Sequence, residues 1–159
     1  LGSVSFNAIL LPEGGEKLRS IAPLLAFYDV DPTEVKLLGT GLWDEAKLGF
    51  EPALIGGWFA GPTPSIGKKF RGRYKNIFGV FPPRLASLAY DATALAAVLA
   101  RDKVSPNFNN SQLTNISGFS GIDGLFRFRE DGIAERGLAV LEVRRDGFFV
   151  VSPAPVMFE

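Results

Sequence analysis

The groups of this chain that could react or bind a ligand are carboxylates, lysines, aromatic rings and glycine-flanked backbone groups. Its 159 residues include no cysteine and no histidine. This excludes thiolate nucleophiles, zinc–thiolate and imidazole metal sites, and Ser-His-Asp catalysis. Carboxylate chemistry, lysine chemistry and hard-metal binding remain open. Neither of the glycine-rich phosphate-binding motifs occurs, and we expect no cofactor.

The first candidate binding loop is Pro12–Gly15, which follows the apolar run Phe6–Leu11. Its two glycines let the backbone approach a ligand closely, and the N-terminus of a following helix favours anions. Glu13, Gly14 and Gly15 are therefore candidate ligand-binding residues. The alternative is structural, with the glycines forming a tight strand-to-helix turn and the acidic residues capping the helix.

The second candidate loop is Thr40–Asp44, which places an aromatic ring and a carboxylate after a predicted strand. Trp43 could grip a small molecule in a cleft, or it could pack on a neighbouring helix while Asp44 caps the residues that follow. Trp58 could line the same cleft or fill the core. The candidate ligand-binding residues from these segments are Thr40, Gly41, Trp43 and Trp58.

The remaining charged residues predict no nucleic-acid or metal site. Seventeen basic residues balance seventeen acidic ones, so there is no global attraction to nucleic acid. No stacking aromatics interleave on the exposed face of the basic run Lys68–Lys75, which favours a solvated helix face, with an acidic protein partner as the alternative. Asp91 could serve a site, but a structural hydrogen bond within the protein is the favoured interpretation. The spacing of the later acidic residues does not match a calcium-binding loop; these are Asp123, Glu130 and Asp131.

Three short apolar runs predict the strands of a sheet. They are Phe6–Leu11, Val35–Gly39 and Ala53–Gly56, and a helical pattern with an internal Pro23 separates the first two. We expect this proline to kink the helix or to start a second segment. Strands that alternate with helices indicate parallel βαβ units.

The second half of the chain is predicted to be helical and then antiparallel. Helices are expected over Pro64–Phe78 and Arg84–Arg101, and a polar loop with one short helix over Ser105–Ser117. Asp146-Gly147, between two apolar runs, predicts a hairpin with a type I′ turn. The predicted fold class is α/β: a doubly wound, mainly parallel sheet flanked by helices, with a C-terminal antiparallel β-hairpin.

Nothing near the N-terminus predicts a signal peptide, and no apolar run approaches the roughly 20 residues that span a bilayer. The chain begins with Leu1 and not with an initiator Met, and its first predicted strand follows almost at once. We therefore expect a fragment or a processed form.

The order of these segments resembles the C-terminal half of the type I periplasmic binding proteins, the leucine/isoleucine/valine-binding family. The similar parts, in chain order, are NAILLPEGG, VKLLGTG, ALIGGWF, LASLAYDATALAAVLA and GFSGIDGLFRFREDG. IAPLLAFYDV, with its internal proline, is similar to penicillin-binding-protein activator lipoproteins, which share the fold. The resemblance implies domains of 1–60 in one lobe, 61–118 as the helical part of the other, and 119–159 as closing β segments. It also implies crossings between the lobes near Gly61 and Gly118.

The resemblance carries expectations about function. The family's grip on an amino acid implies a tyrosine and a glutamate at the positions of Gly14 and Gly41, and neither glycine can do that job. This departure favours a non-catalytic module of a periplasmic, lipid-anchored envelope protein that binds and regulates a peptidoglycan synthase. The alternative is an ABC-transporter receptor for an amino acid or a similar small polar ligand. Uncovered sheet edges also predict a longer parent protein, or pairing with a second copy as a homodimer or swapped fragment.

Overall fold

The computed structural model describes residues 5–45, 47–101 and 108–158. The chain forms two compact units. Unit 1 comprises Leu1–Gly61 and Ala139–Ser152, and unit 2 comprises Pro62–Leu138 and Pro153–Glu159. The chain thus changes unit after Gly61, and the next change follows Leu138, not Gly118. The three strands between Gly118 and Leu138 pair with one another and not with the sheet of unit 1, so this segment remains in unit 2.

Unit 1 is built on one five-stranded sheet with the order β1-β2-β3-β7-β8. The first three strands run parallel, while β7 pairs antiparallel with both β3 and β8. The predicted mainly parallel sheet with its antiparallel C-terminal hairpin is confirmed. The elements of this unit are β1 (Ala8–Leu11), α1 (Gly15–Phe27), β2 (Lys36–Gly39), β3 (Trp58–Gly61), β7 (Ala139–Arg144) and β8 (Gly147–Ser152).

The core of unit 1 covers one face of this sheet. Strand residues at alternate positions, such as Leu37, Phe59 and Leu141, are buried, as the period of two along a strand requires. They share the core with Leu18 and Ala22 of α1, because residues four apart lie on one face of a helix. Three short 3₁₀ turns between β2 and β3 each add one buried apolar side chain, Trp43, Leu48 and Leu54 respectively; the turns are Gly41–Trp43, Leu48–Phe50 and Pro52–Leu54.

Unit 2 combines helices with a separate three-stranded antiparallel sheet of order β4-β5-β6. Its buried apolar side chains include Phe70, Leu95 and Phe126. Within the described residues of the chain, no helix is long and apolar enough to cross a membrane. The elements are α2 (Pro64–Phe78), α3 (Ala86–Ala100), α4 (Asn110–Leu113), β4 (Phe119–Gly121), β5 (Gly124–Phe128) and β6 (Ala134–Gly137).

The structure corrects three local predictions. Ala53–Gly56 is not a strand, because Pro52 starts a 3₁₀ turn and Gly56, at φ +83°, reverses the chain before β3 begins at Trp58. Helix α1 continues through Pro23 as one helix, so the proline does not start a second segment. The β7–β8 turn is formed by residues 145 and 146, which lack the positive φ that a type I′ turn requires. Of the segment predicted as a polar loop, residues 105–107 lie outside the described residues, and the short helix is α4.

Candidate ligand-binding site

Two of the predicted loops meet at the carboxyl edge of the parallel strands. Because β1 and β2 are parallel and in register, with Leu11 opposite Gly39, the residues that follow them lie at the same edge. A Cβ on Gly14 would lie 2.8 Å from the Cβ of Leu42 and 2.9 Å from its carbonyl oxygen. We call these two contacting segments, Glu13–Gly15 and Thr40–Leu42, the rim.

The glycines of the first rim segment have structural reasons to be glycines. Gly14 is required by the close approach of Leu42. Gly15 has φ +58°, in the left-handed region that other residues rarely adopt. Gly14 is also the N-cap of α1 and has no side chain to accept from the first-turn amides. These amides are therefore left for solvent or a ligand, at the end of the helix that favours negative charge.

The second rim segment is ordered by its own hydrogen bonds. The hydroxyl of Thr40 accepts from the backbone N–H of Leu42 at 3.4 Å and so caps the 3₁₀ turn. A Cβ on Gly41 would have the carbonyl oxygen of Ala60 as its nearest neighbour, at 3.8 Å, so this position has room for a side chain. Asp44 follows directly after the turn. The side chain of Glu13 is half-exposed, 3.9 Å from Lys17.

Trp43 does not face the rim. Its side chain is completely buried, and its indole N–H donates to the carbonyl oxygen of Leu11 at 3.2 Å. A Cβ on Gly39 would overlap the indole ring, and one on Gly57 would lie 2.8 Å from it. Of the two interpretations of Trp43, the geometry favours packing. The ring contacts the last residues of β1 and β2, Leu11 and Gly39, and thereby holds in place the two rim segments that follow them.

Trp58 lies on the opposite face of the sheet from the buried core. Its indole N–H donates to Glu142 at 3.1 Å, and the ammonium group of Lys36 lies 4.8 Å from the ring centre. Glu142 also accepts from Arg144 at 2.9 Å, and the Arg144 guanidinium lies 3.8 Å from the ring centre of Phe149. The structure therefore brings Trp58 into a polar cluster on the sheet face and not together with the rim residues.

The sequence pattern did not predict this polar cluster. The hydrogen bonds from Arg144 and then from Trp58 hold the pKa of Glu142 below its ordinary value, because both stabilise the carboxylate. The available signal was the pair Glu142 and Arg144, which lie two apart in a strand and therefore share a face. Nothing local in the sequence could connect them to Trp58.

The carboxylates of unit 2 hold its parts together. Asp91 accepts from the backbone N–H of Ile122 at 2.7 Å and of Asp123 at 3.3 Å. Asp123 in turn accepts from Ser87 at 3.0 Å and from Arg84 at 2.9 Å. The three buried polar side chains of this network therefore tie α3 to the β4–β5 turn. No cluster suited to holding a metal ion occurs within residues 5–45, 47–101 and 108–158.

Comparison with known proteins yields structural neighbours only. No family model and no curated protein matches the sequence. A protein from Rhodospirillum rubrum assigned to branched-chain amino acid ABC transport matches with a TM-score of 0.73 and 21% identity, over 91% of this chain and 44% of that one. A periplasmic ligand-binding protein of a branched-chain amino acid ABC transporter, from Burkholderia xenovorans, matches with a TM-score of 0.67 and 15% identity, over 94% and 44%.

A third structure is a solute-binding protein of an ABC transporter from R. palustris, in complex with benzoate. It matches with a TM-score of 0.61 and 13% identity, over 94% of this chain and 44% of that one. The chain thus spans less than half the length of each of these proteins. Its mainly parallel sheet, flanking helices and separate antiparallel sheet are those of the periplasmic binding protein-like I fold. The structural neighbours of this chain are therefore type I periplasmic binding proteins, and it has their fold.

Proposed function

We propose that this chain belongs to a non-catalytic solute-binding receptor of an ABC transporter, with an amino acid or a similar small carboxylate as ligand. The observation that carries the proposal is the likeness to solute-binding proteins over more than nine-tenths of the chain. The named ligand classes of these proteins, branched-chain amino acids and benzoate, share a carboxylate attached to an apolar body. This is the ligand chemistry that we assign to the proposed receptor.

The rim supplies the groups that such a ligand needs. The uncapped N-terminus of α1 offers backbone amides to a carboxylate. The exposed side chain of Leu42 offers apolar contact beside the Thr40 hydroxyl. The open position at Gly41 leaves space for the ligand's body. We therefore keep Glu13, Gly14, Gly15, Thr40 and Gly41 as proposed ligand-binding residues and assign Trp43 the role of support.

Location and architecture follow as further proposals. The Burkholderia relative is periplasmic, which supports a periplasmic location, and a lipid anchor on the full-length protein is a finer proposal. The matched share of each relative, 44%, supports the proposal that the chain is one half of a two-lobed fold, with the first change of lobe near residue 60. Pairing with a second copy is tested by light scattering after size exclusion, where a monomer would contradict it.

A second candidate function is regulation of a peptidoglycan synthase by protein contact. It is favoured by the glycines at positions 14 and 41, where the resemblance to the amino-acid-binding family implies a tyrosine and a glutamate. None of the similar structures that we describe is such an activator, so this is the weaker proposal. Co-purification with a penicillin-binding protein, together with no heat from the ligands tested below, would favour it.

Titration calorimetry of the chain with leucine, isoleucine, valine and benzoate tests the receptor proposal. We expect saturable heat from at least one ligand. Gly41→Leu fills the rim without a backbone clash and should weaken binding about tenfold or more, the equivalent of ~1.4 kcal/mol. Gly72→Leu, at an open position of α2, is the matched control and should bind as the parent chain does. No heat from any ligand, or unchanged binding by the Gly41 variant, would contradict the proposal.

A further inference from the structure

Charge is unevenly distributed along this chain despite its net charge of zero. Between Glu51 and Asp91 the sequence contains no acidic residue, and α2 within this stretch carries five cations and no anion. None of the rim residues lies in this stretch. The five cations of α2 are Lys68, Lys69, Arg71, Arg73 and Lys75.

All five cations are exposed, and within the described part of the chain none of them forms an ion pair. At about 100° per residue they occupy an arc of about 200° around the helix. The buried side of α2 is narrow and consists of Gly67 and Phe70, with Tyr74 partly covered. By contrast, Arg84, just beyond this helix, is bonded to the buried Asp123. The cations of α2 therefore form an unneutralised surface.

Large apolar side chains lie exposed at the C-terminal end of the same helix. Gly79 ends α2, and the residues that follow lead into Pro82-Pro83 without regular structure. Phe81 is 62% exposed, and the ammonium group of Lys75 lies 4.4 Å from its ring centre. We call this segment the apolar tip; its exposed members are Ile77, Phe78, Val80 and Phe81.

We propose that α2 and the apolar tip bind the surface of an anionic phospholipid membrane. Clusters of four to eight cations on an amphipathic helix bind anionic headgroups, each cation contributing about 1 kcal/mol. Peripheral anchoring needs a second signal besides charge, and the tip provides it by burying aromatic and aliphatic side chains at the interface. An aromatic ring beside a lysine suits this interface, because the ring can enter the hydrocarbon boundary while the ammonium group stays in the headgroup layer.

An acidic protein surface is a poorer fit to the same features. A rigid protein surface that contacts one side of the helix would leave part of the roughly 200° arc of cations unneutralised. Mobile lipid headgroups can gather around that whole arc. The helix presents cations and then, at its C-terminal end, the apolar tip. A bilayer likewise changes from charged headgroups to hydrocarbon with increasing depth. This inference does not depend on the identity of the solute ligand.

Co-sedimentation of the chain with phospholipid vesicles tests the proposal. Vesicles of phosphatidylcholine mixed with phosphatidylglycerol should bind the chain at low ionic strength and release it at high ionic strength, because screening weakens headgroup attraction. Vesicles of phosphatidylcholine alone should bind it far more weakly. Equal binding to both vesicle types, or no binding to the anionic vesicles, would overturn the proposal.

Matched variants locate the binding surface. The double change Lys69→Gln and Arg73→Gln should lower the partition coefficient about thirtyfold, from the loss of two cations. The double change Lys47→Gln and Arg145→Gln removes the same charge from unit 1 and should leave binding within about twofold of the parent chain. Lys69→Arg retains the charge and should retain binding. Equal losses in the two double variants would also overturn the proposal.

The apolar tip has its own test. Val80→Ser with Phe81→Ser should weaken binding to anionic vesicles about tenfold or more while leaving its salt dependence unchanged, because the charge is intact. Circular dichroism of each variant verifies the fold. Unchanged binding by this folded variant would contradict insertion of the tip.

Discussion

The two units of this chain are stabilised by different chemistry. Unit 1 is held by apolar burial around Trp43, whose indole ring fills the space above two glycines and makes one hydrogen bond to Leu11. Unit 2 has fewer buried apolar side chains. It is stabilised instead by the buried carboxylates of Asp91 and Asp123, which join α3 to the β4–β5 turn through hydrogen bonds. Truncation of a buried side chain should therefore destabilise unit 1 by creating a cavity and unit 2 by leaving hydrogen-bond donors unsatisfied.

The largest effect is expected from Trp43→Ala. It removes a fully buried aromatic side chain and should lower the free energy of unfolding by about 3–5 kcal/mol. Chemical denaturation followed by circular dichroism measures the loss. Trp58→Ala is the control, since Trp58 is only partly buried and should cost clearly less. Equal losses from the two tryptophans would contradict the assignment of Trp43 to the core.

Asp91→Ala should have the next largest effect, about 1–3 kcal/mol, because it leaves the amides of Ile122 and Asp123 unpaired in a buried site. Asp91→Asn should cost less, since its carbonyl oxygen can still accept one bond. Thr93 lies on the same helix, and its hydroxyl donates a hydrogen bond to the carbonyl oxygen of Ala89 within that helix. Thr93→Ala should leave the free energy of unfolding nearly unchanged. A loss equal to that of Asp91→Ala would contradict a stabilising role for the hydrogen bonds of Asp91.

The two rim glycines should respond differently to the same methyl group. Gly14→Ala places its Cβ against Leu42 and should destabilise the protein by about 1–3 kcal/mol. Gly41→Ala meets no atom closer than 3.8 Å and should stay within about 0.5 kcal/mol of the parent chain. Thermal unfolding of both variants gives the comparison. A tolerated Gly14→Ala would mean that the two loops do not touch.

The smallest change in stability is expected from Glu142→Gln, on the sheet face of unit 1. The pKa of Glu142 is lowered in the folded protein, so its stabilisation is present above the unfolded-state pKa and is lost as the pH falls through the folded-state pKa. Glu142→Gln should cost less than about 1 kcal/mol at neutral pH and should flatten the fall in stability below pH ~4.5. Denaturation midpoints across acidic pH test this, and an unchanged pH dependence would exclude Glu142 as a contributor.

The sequence was informative where structure depends on local pattern. Helical spacing and the flanking Pro64 and Gly79 predicted the bounds of α2, and the apolar runs predicted β1 and β2 to within two residues. The third strand was predicted at Ala53–Gly56, whereas β3 begins at Trp58. The apolar residues Ala53–Ile55 fit a strand and a 3₁₀ turn equally well. What decides their conformation is the turn at Pro52 and the reversal at Gly56.

The candidate site could be predicted only in part. The contact of Gly14 with Leu42 follows from parallel pairing, which the predicted βαβ units imply. The burial of Trp43 and the bond from Trp58 to Glu142 could not be predicted, since the latter pair are 84 positions apart and no periodicity connects them. An aromatic side chain after a strand has the same local pattern whether it grips a ligand or supports the loop.

The most direct test of the proposed receptor function is an amide NMR titration of the chain with isoleucine and with benzoate. We expect the amide resonances of Gly14, Gly15 and Gly41 to shift with a common saturable dependence on the concentration of at least one ligand, while that of Gly72 on α2 does not shift. Spectra in which the rim glycines do not move, or in which Gly72 moves and they do not, would contradict ligand binding at the rim.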